Sequence, residues 1–332
     1  MGSHNKYRIC RANPGSVVSP GIRPSRVSGE RGEHVTHIIS IRDLSREEID
    51  LLLSEAGRIQ ERCFDEHALN GRILALLFFE PSTRTRMSFE AAMARLGGTS
   101  LSVGSVEASS MAKGETLADT IRVVSGYADA IVLRHPKEGA ARLASEFASV
   151  PVINAGDGAG QHPSQTLLDL YTIRQSMPLE HKSIGLLGDL RYGRTAHSLA
   201  YALSLYHATI YSITPNGLEL PEALVQELAD HGTEVICCDS VEEVVRELDV
   251  LYVTRIQRER FPDSASYFKV ASSYRITPEL LAGVKEHLIV LHPLPRVDEI
   301  DPRVDSLPYA RYFEQSWNGI PVRMAMLQRV MK

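Results

Sequence analysis

Cysteine is scarce in this 332-residue sequence, and long apolar runs are absent. The four cysteines are Cys10, Cys63, Cys237 and Cys238, and none has the C-x-x-C spacing typical of zinc or dithiol sites. We therefore expect reduced thiols in a cytoplasmic protein, rather than a disulfide or a zinc ion. No run approaches the ~20 apolar residues that span a bilayer, and no signal-peptide pattern stands at the start, which argues against a membrane partner.

An excess of basic residues is also lacking. The formal net charge is −5, so no overall basic field points to nucleic acid as a partner. Hydrophobic residues make up 43% of the chain and charged residues 23%, which is ordinary globular composition. The length favours two domains over one.

Residues 1–34 lack the apolar periodicity of the rest of the chain. This stretch is rich in Gly, Ser, Pro and Arg and has too little hydrophobic surface to fold alone. We predict a disordered extension or a tag, since the first four residues are MGSH. The absence of acidic residues before Glu30 leaves organelle targeting as an alternative.

From His37 onward, short apolar runs alternate with helical segments. Ser45 and Glu48 form an S-x-x-E capping box ahead of an amphipathic helix. The candidate strands are residues 73–79, 130–134, 150–154, 183–189, 209–214, 233–238, 249–255 and 288–293. Apolar strands separated by helices predict an α/β fold with two doubly wound domains, each with a central, mainly parallel sheet flanked by helices.

The alternation of strands and helices begins again at Ser183, after a predicted helix over about 164–175. We therefore predict a first domain over residues 35–163 and a second domain over residues 164–308. The last segment, residues 309–332, is predicted to be a helix that joins the first domain. No internal repeat is found.

The strongest chemical signal is the segment FEPSTRTR, residues 79–86, between an apolar strand and an amphipathic helix. Ser82 and Thr83 stand at the predicted N-cap, where unpaired backbone N–H groups and the positive end of the helix dipole converge. Arg84 adds a guanidinium group that can hold phosphate oxygens. The segment predicts a phosphate site, with a capped helix and solvated arginines as the alternative.

Other polar groups follow strands of the same half. Arg134 ends the strand at residues 130–134, and His162 and Gln165 open the helix after the strand at 150–154. Ligands of open α/β sheets lie beyond the carboxyl ends of the strands, so we expect these three side chains to converge with Ser82–Arg84. A cap or a core hydrogen-bond partner is the alternative interpretation of His162.

Two arginines occupy corresponding places in the second half. Arg194 stands at a predicted helix start, and Arg255 ends the strand at residues 249–255. Two arginines suit a small dicarboxylate, because each can hold one carboxylate with two hydrogen bonds. The alternative interpretation is that both are surface arginines.

The segment GDLRYGRT lacks the third glycine of a dinucleotide fingerprint, which disfavours an oxidoreductase. The prolines of HPLPR predict a rigid turn at the edge of a cleft.

Together these segments closely resemble aspartate carbamoyltransferase catalytic chains over about residues 37–331. The segments that carry the resemblance are FFEPSTRTR, LRHP, INAGDGAGQHPSQTLLDLYTI, GDLRYGRTAHSL, TRIQRERF and HPLPRVDEI. Ornithine carbamoyltransferases share S-T-R-T-R and H-P-x-Q but carry H-C-L-P and an S-M-G loop, where this chain has HPLP. The resemblance implies transfer of the carbamoyl group from carbamoyl phosphate to L-aspartate, a step of pyrimidine biosynthesis, without a metal or organic cofactor.

The resemblance also implies roles for individual residues. The phosphate of carbamoyl phosphate would be held by Ser82, Thr83, Arg84 and Thr85. The carbonyl oxygen would meet Thr85, Arg134 and His162, and the amino group would meet Gln165. The groups implied as catalytic are Arg84, Thr85, Arg134, His162 and Gln165.

For aspartate, the resemblance implies Arg194, Arg255 and Gln257 at the carboxylates. The backbone carbonyls of Pro293 and Leu294 would orient the amines, with the Leu294–Pro295 peptide bond cis. Members of the family form homotrimers whose active sites are completed by a neighbouring chain. The matching loop here offers Lys113, for both substrates, and Ser109, with Ser110 as the alternative serine.

Three further possibilities remain open at the level of sequence. A carbamoyltransferase for another amino acid, such as ornithine, is the first alternative. A catalytically silent homologue that serves as a structural partner is the second. Separate regulatory chains are a further class of partner that some members of the family bind.

Overall fold

The computed structural model describes residues 8–9, 36–103, 114–256 and 273–331. The chain forms two compact units. The N-terminal unit comprises residues 20–171 and 318–332, and the C-terminal unit comprises residues 1–19 and 172–317. Among the described residues, no helix is long and apolar enough to cross a membrane.

Strands and helices are numbered in chain order. The strands are β1 (Arg8–Ile9), β2 (Ile73–Phe78), β3 (Thr99–Val103), β4 (Ala130–His135), β5 (Val152–Asp157), β6 (Ser183–Leu187), β7 (Thr209–Ile213), β8 (Val235–Cys238), β9 (Val250–Val253) and β10 (Ile289–Leu291). The helices are α1 (Arg46–Gln60), α2 (Thr83–Arg95), α3 (Leu117–Ser125), α4 (Ala140–Phe147), α5 (Pro163–Ser176), α6 (Arg194–Ser204), α7 (Glu222–Asp230) and α8 (Tyr312–Met331), with short 3-10 helices at Ile41–Asp43 and Pro302–Ser306.

The N-terminal unit is built on a parallel sheet in the order β3-β2-β4-β5. Ala75 and Leu77 of β2 pack with residues of α3 and α4 in one hydrophobic cluster, and Leu74 and Leu76 on the opposite face are fully buried as well. Burial of both faces explains why β2 consists of consecutive apolar residues rather than alternating ones. The predicted capping box is confirmed, since Ser45 accepts from the N–H of Glu48 and Glu48 accepts from the N–H of Ser45.

The C-terminal unit is built on a sheet in the order β1-β8-β7-β6-β9-β10. All neighbouring pairs are parallel except β1 and β8. Leu187, Ile213, Leu251 and Val253 point into one hydrophobic cluster that also contains residues of the segment between β8 and β9. The predicted fold class of two parallel α/β units flanked by helices is therefore confirmed.

One finding corrects the expectation for the cysteines. Cys237 in β8 is disulfide-bonded. Arg8 of β1 lies opposite Cys237 in the antiparallel ladder, a pairing that no pattern in the sequence indicates. Cys63 and Cys238 are free, and burial raises the pKa of the Cys238 thiol to about 12.

Candidate functional site

The start of α2 is placed at the carboxyl edge of the N-terminal sheet. Directly after β2, the backbone N–H of Phe79 donates to the carbonyl oxygen of Arg134 at 2.9 Å, which ties the end of β2 to the end of β4. Ser82 is the N-cap residue of α2 but makes no side-chain capping hydrogen bond. Thr85 is buried and Arg84 is exposed, so the first turn of a 13-residue helix presents backbone N–H groups and a cation at this edge. This is the arrangement that binds anions.

Arg134 is buried at the end of β4, with only 8% of its surface exposed. Its Nη1 donates to the carbonyl oxygen of Ala155 in β5 at 2.9 Å, and its Nη2 donates to Oε1 of Glu80 at 3.0 Å. The guanidinium group is therefore fixed between the neighbouring strand and the segment that leads into α2. A cation held by a strand backbone is positioned before any ligand arrives, which lowers the reorganisation needed for binding.

The loop between β5 and α5 is held by a network of side-chain hydrogen bonds. Asn154 Nδ2 donates to Asp157 Oδ1 at 3.0 Å, and the N–H of Gln161 donates to the same oxygen at 2.7 Å. Gly158 has a φ of +51°, and a Cβ there would lie 2.6 Å from the carbonyl oxygen of Pro136. The loop therefore needs glycine at this position to pack against the segment after β4, and it delivers the next residues to the start of α5.

His162 and Gln165 occupy that helix start. His162 is buried, with 5% of its surface exposed. Gln165 Nε2 donates to Oδ1 of Asp169, one turn further along α5, at 2.8 Å. Because a carboxylate oxygen accepts, the amide nitrogen of Gln165 must face Asp169, which turns Oε1 the other way. Gln165 thus presents an acceptor to its other neighbours.

Parallel register brings these groups to one edge. Phe78 of β2 pairs with Arg134 of β4, and His135 of β4 pairs with Asp157 of β5, so all three strands end at the same level. The structure thus places Ser82–Thr85, Arg134, His162 and Gln165 beyond the carboxyl ends of adjacent strands.

Two carboxylates at this edge were not among the site residues predicted from the sequence. Glu80 holds Arg134, and Asp169 holds Gln165. Glu80 lies inside the FEPSTRTR segment, and Asp169 follows Gln165 at the i,i+4 spacing of a helix face, so each had a local signal.

The C-terminal unit brings a second set of groups to the edge of its own sheet. Gly193 is the N-cap residue of α6, which begins at Arg194 after β6. Gly188 has a φ of +123°, and a Cβ there would collide with the carbonyl oxygen of Thr254. Thr254 in turn donates its N–H to the carbonyl oxygen of Leu187 at 2.7 Å, so the chain after β9 is bound tightly to the end of β6. Arg255 comes next and is exposed.

The HPLP turn follows β10, which pairs with β9. The N–H of His292 donates to Oε1 of Gln315 at 2.8 Å, and His292 Nε2 lies 2.7 Å from Oε1 of Glu299. Burial acts to raise the pKa of Glu299, but the hydrogen bonds from His292 and from the backbone N–H groups of Glu299 and Val297 together outweigh it, and the pKa is lowered. The Leu294–Pro295 peptide bond is cis, as the resemblance implies.

Since β6, β9 and β10 are parallel neighbours, Arg194, Arg255 and Leu294 all follow strand ends on one edge of the C-terminal sheet. Two guanidinium groups beside a turn that contains two prolines can bind carboxylates and accept hydrogen bonds from an amine. Ser109, Lys113 and Gln257, the other predicted site residues, lie outside the described residues.

Family comparisons cover both units. The chain matches the description "Aspartate/ornithine carbamoyltransferase, carbamoyl-P binding domain" over residues 36–175. It matches "Aspartate/ornithine carbamoyltransferase, Asp/Orn binding domain" over residues 180–330. The two matches contain all the strand ends described above.

Individual relatives are similar over nearly their whole length. The aspartate carbamoyltransferase catalytic subunit of Methanosphaerula palustris is 76% identical over 292 residues, which cover 88% of this chain and 98% of that protein. The catalytic subunit of Methanospirillum hungatei is 69% identical over 297 residues, which cover 90% of this chain and 100% of that protein.

Solved structures show the same similarity. The catalytic subunit of M. jannaschii aspartate transcarbamoylase has 53% identity and a TM-score of 0.85, covering 89% of this chain and 97% of that one. Aspartate transcarbamoylase from Trypanosoma cruzi, solved with carbamoyl phosphate and aspartate, has 39% identity and a TM-score of 0.84, covering 90% and 96%. Because similarity of this degree extends through both sheets and their polar edges, the chain belongs to the aspartate carbamoyltransferase family.

Proposed function

We propose that this chain transfers the carbamoyl group of carbamoyl phosphate to the α-amine of L-aspartate, giving N-carbamoyl-L-aspartate and phosphate. The observation that carries the proposal is the joined edge of the N-terminal sheet. There the N–H of Phe79 donates to the backbone carbonyl oxygen of Arg134 at 2.9 Å, and the buried guanidinium group of Arg134 donates to Glu80, in the segment that leads into α2, at 3.0 Å. An anion site beside a fixed cation suits an acyl phosphate whose carbonyl group reacts.

Carbamoyl phosphate is assigned to the N-terminal unit, the proposed carbamoyl phosphate-binding domain. Ser82, Thr83 and Arg84 would hold the phosphate at the start of α2, together with the Thr85 hydroxyl group. Arg134 and His162 would donate to the carbonyl oxygen. The proposed role of Gln165 is to accept from the carbamoyl NH₂ group, which agrees with the orientation that Asp169 imposes on its amide.

Aspartate is assigned to the C-terminal unit, the proposed aspartate-binding domain. Arg194 and Arg255 would each bind a carboxylate, with Gln257 as a further donor. The carbonyl oxygens of Pro293 and Leu294 would accept from the α-amine and orient it.

The reaction then needs few protein groups. The amine nitrogen attacks the carbonyl carbon, a C–N bond forms, and negative charge builds on the carbonyl oxygen beside Arg134 and His162. Donors aimed at such an oxygen contribute about 3 kcal/mol each to lowering the barrier. The C–O bond to phosphate then breaks, and the leaving phosphate can take the amine proton. Holding both substrates in reactive geometry supplies much of the remaining acceleration.

The assembly is a further part of the proposal. A homotrimer would complete each site with Ser109 and Lys113 of a neighbouring chain, and separate regulatory chains would bind outside the site. Support comes from the resemblance of the SSMAKGE segment to the family loop. A cytoplasmic location is proposed on the sequence alone and is tested by cell fractionation.

One assay tests the reaction. Phosphate release from carbamoyl phosphate is measured with aspartate and with ornithine at equal concentrations, and carbamoyl aspartate is identified by mass spectrometry. We expect release with aspartate only. Release with ornithine would favour the carbamoyltransferase for another amino acid, and no release with either would favour a silent homologue.

A further inference from the structure

Arg323 is a buried cation that the proposed reaction does not use. It lies on α8, with 3% of its surface exposed, and its guanidinium carbon lies 5.1 Å from the ring centre of Phe89. Its Nη2 donates to Oγ of Ser164 at 3.4 Å, whereas its Nε is buried without a hydrogen-bond partner. A buried, incompletely paired charge is costly for stability, so packing alone gives no reason for an arginine here.

The fold makes room for this guanidinium group. Gly319 lies one turn before Arg323 on the same helix, and a Cβ at Gly319 would collide with Nη1 of Arg323. Glycine inside a helix costs about 1 kcal/mol relative to alanine. Gly319 therefore lowers the stability of the helix but leaves the space through which the guanidinium group of Arg323 reaches α5.

The charge of Arg323 persists in this setting. Burial lowers its pKa to about 10, and the nearby carboxylate of Asp169 opposes that shift. The group is still protonated at neutral pH. It therefore only donates hydrogen bonds, and it cannot accept one from Ser164.

Ser164 lies between Arg323 and His162 and contacts both. Ser164 is fully buried, and its Oγ lies 3.4 Å from Nδ1 of His162. Because its oxygen accepts from Arg323, its single hydroxyl hydrogen can be donated to Nδ1. An imidazole that accepts at Nδ1 carries its proton on Nε2.

We propose that Arg323, acting through Ser164, is a positioning residue that holds His162 as the neutral tautomer with its proton on Nε2. This inference rests on the proposed role of His162 as a donor to the carbonyl oxygen of carbamoyl phosphate. In that role Nε2–H is the donating group, and the relay keeps the proton on Nε2.

The first test reads the tautomer directly. Protein labelled with ¹⁵N in histidine is studied by NMR, and the resonances of His162 are assigned by their loss in His162→Gln, since the chain has 12 histidines. We expect a bare Nδ1 and a protonated Nε2 in the wild type. Ser164→Ala, which removes one oxygen from a buried site, should give a mixture of tautomers.

Arg323→Met should have the same effect as Ser164→Ala, and Arg323→Lys, which keeps a charged donor, should restore part of the wild-type pattern. Arg329→Met is the matched control, because Arg329 lies on the same helix but pairs with Glu48. It should leave the His162 resonances unchanged. Persistence of the single Nε2–H tautomer in both Ser164→Ala and Arg323→Met would overturn the inference.

Kinetics separate this inference from the proposed function. With the tautomer lost, kcat/KM for carbamoyl phosphate should fall about 10- to 100-fold, the range typical for partners that orient a functional histidine, while the KM for aspartate changes little. If the tautomer changes but the kinetics do not, the relay stands and the proposed role of His162 is wrong. If neither changes, the relay itself is wrong.

Discussion

The backbone N–H of Leu294 donates to Nδ1 of His292 across 2.8 Å. Since Nδ1 accepts, the proton of the neutral ring lies on Nε2 and is directed at Oε1 of Glu299, 2.7 Å away. His292 thus holds the backbone of the HPLP turn through Nδ1 and is itself held by Glu299 through Nε2. The carbonyl oxygens of the turn, which we assign to the amine of aspartate, depend on this geometry.

Replacement of His292 separates these two contacts. His292→Gln can still reach Glu299 but leaves Leu294 without its acceptor, so the turn loosens. We expect the KM for aspartate to rise about 10- to 100-fold, because small misplacements of a positioning group have effects of that size. His292→Asn retains an acceptor near the Nδ1 position and should remain closer to the wild type. Equal aspartate KM values in both variants would argue against the turn as an aspartate contact.

Arg84→Ala tests the phosphate site. Arg84 is exposed at the start of α2, so its removal should leave the fold and the Tm unchanged while activity falls at least about 100-fold. Binding of inorganic phosphate, measured by calorimetry, should weaken in parallel. Arg95→Ala, at the exposed end of the same helix, is the matched control and should behave as the wild type. Normal turnover of Arg84→Ala would remove the start of α2 from the site.

Arg255→Ala tests the assignment of the second substrate. Arg255 is exposed after β9, on the sheet edge that also carries Arg194. Loss of a bidentate carboxylate contact should raise the KM for aspartate by about 10- to 100-fold and leave carbamoyl phosphate binding nearly unchanged. Arg246→Ala, another exposed arginine of the same unit, serves as the control. Equal weakening of both substrates would contradict the assignment.

Much of this fold could be predicted because its strands are apolar on both faces. Eight of the observed strands coincide with predicted apolar runs, whereas β3 was missed. β3 is an edge strand with the sequence TSLSV and is exposed or half-buried along its length, so it leaves no apolar run to detect. The two-residue β1 was missed for a related reason, since it belongs to a stretch of low hydrophobicity.

The candidate site also contains residues that could be predicted from the sequence and residues that could not. Residues at strand ends, such as Arg134 and Arg255, could be predicted because parallel topology brings all such ends to one edge. The partners that orient them could not be found as readily. Arg323 contacts Ser164 across 159 positions of the chain, and no local periodicity predicts which buried side chain a distant helix supplies.

Complementation tests whether Lys113 acts in a neighbouring chain. Lys113 matches a family loop that completes the site of another subunit, so Lys113→Ala and Arg84→Ala chains should each be inactive alone. After mixing under conditions that exchange subunits, some trimers should contain one site with both native residues, and activity should reappear. A chain carrying both substitutions, mixed with either single variant, is the control and should restore no activity, because one of the two native residues is then absent from every chain. A mixture of the single variants without activity would place Lys113 in its own chain.

One aspartate in each unit precedes a parallel strand and accepts from the first residue of its neighbour, and we expect both to affect stability at low pH. Asp249 precedes β9 and accepts from the N–H of Ser183 at the start of β6, at 2.9 Å. Asp129 precedes β4 and accepts from the N–H of Ile73 at the start of β2, at 2.8 Å. Asp249 is the more buried carboxylate, with 10% of its side chain exposed against 32% for Asp129. Each carboxylate therefore ties the beginnings of two parallel strands.

We expect Asp249→Asn to lower the free energy of unfolding at pH 7 by about 2 kcal/mol, because the amide turns a donor toward Lys285 and His287, which both donate to this carboxylate. Burial acts to raise the pKa of Asp249, but the hydrogen bonds from Lys285, Ser183 and His287 outweigh it and the pKa is lowered. The folded state thus binds its proton less readily than the unfolded chain. This contribution is complete above the unfolded pKa of about 4 and is lost as the pH falls through the folded value.

Thermal unfolding of the wild type and the variant, followed from pH 7 down to pH 3, measures this dependence. The difference in Tm should begin to shrink as the pH falls below about 4, where the unfolded carboxyl group becomes protonated, and should continue to shrink as the pH approaches the lower folded pKa. Asp129→Asn is the matched comparison and should cost less at every pH, because its partner Arg72 is half exposed and water already screens the pair. A Tm difference for Asp249→Asn that stays constant with pH would show that the carboxylate charge contributes nothing, and that shape alone holds the two strand starts together.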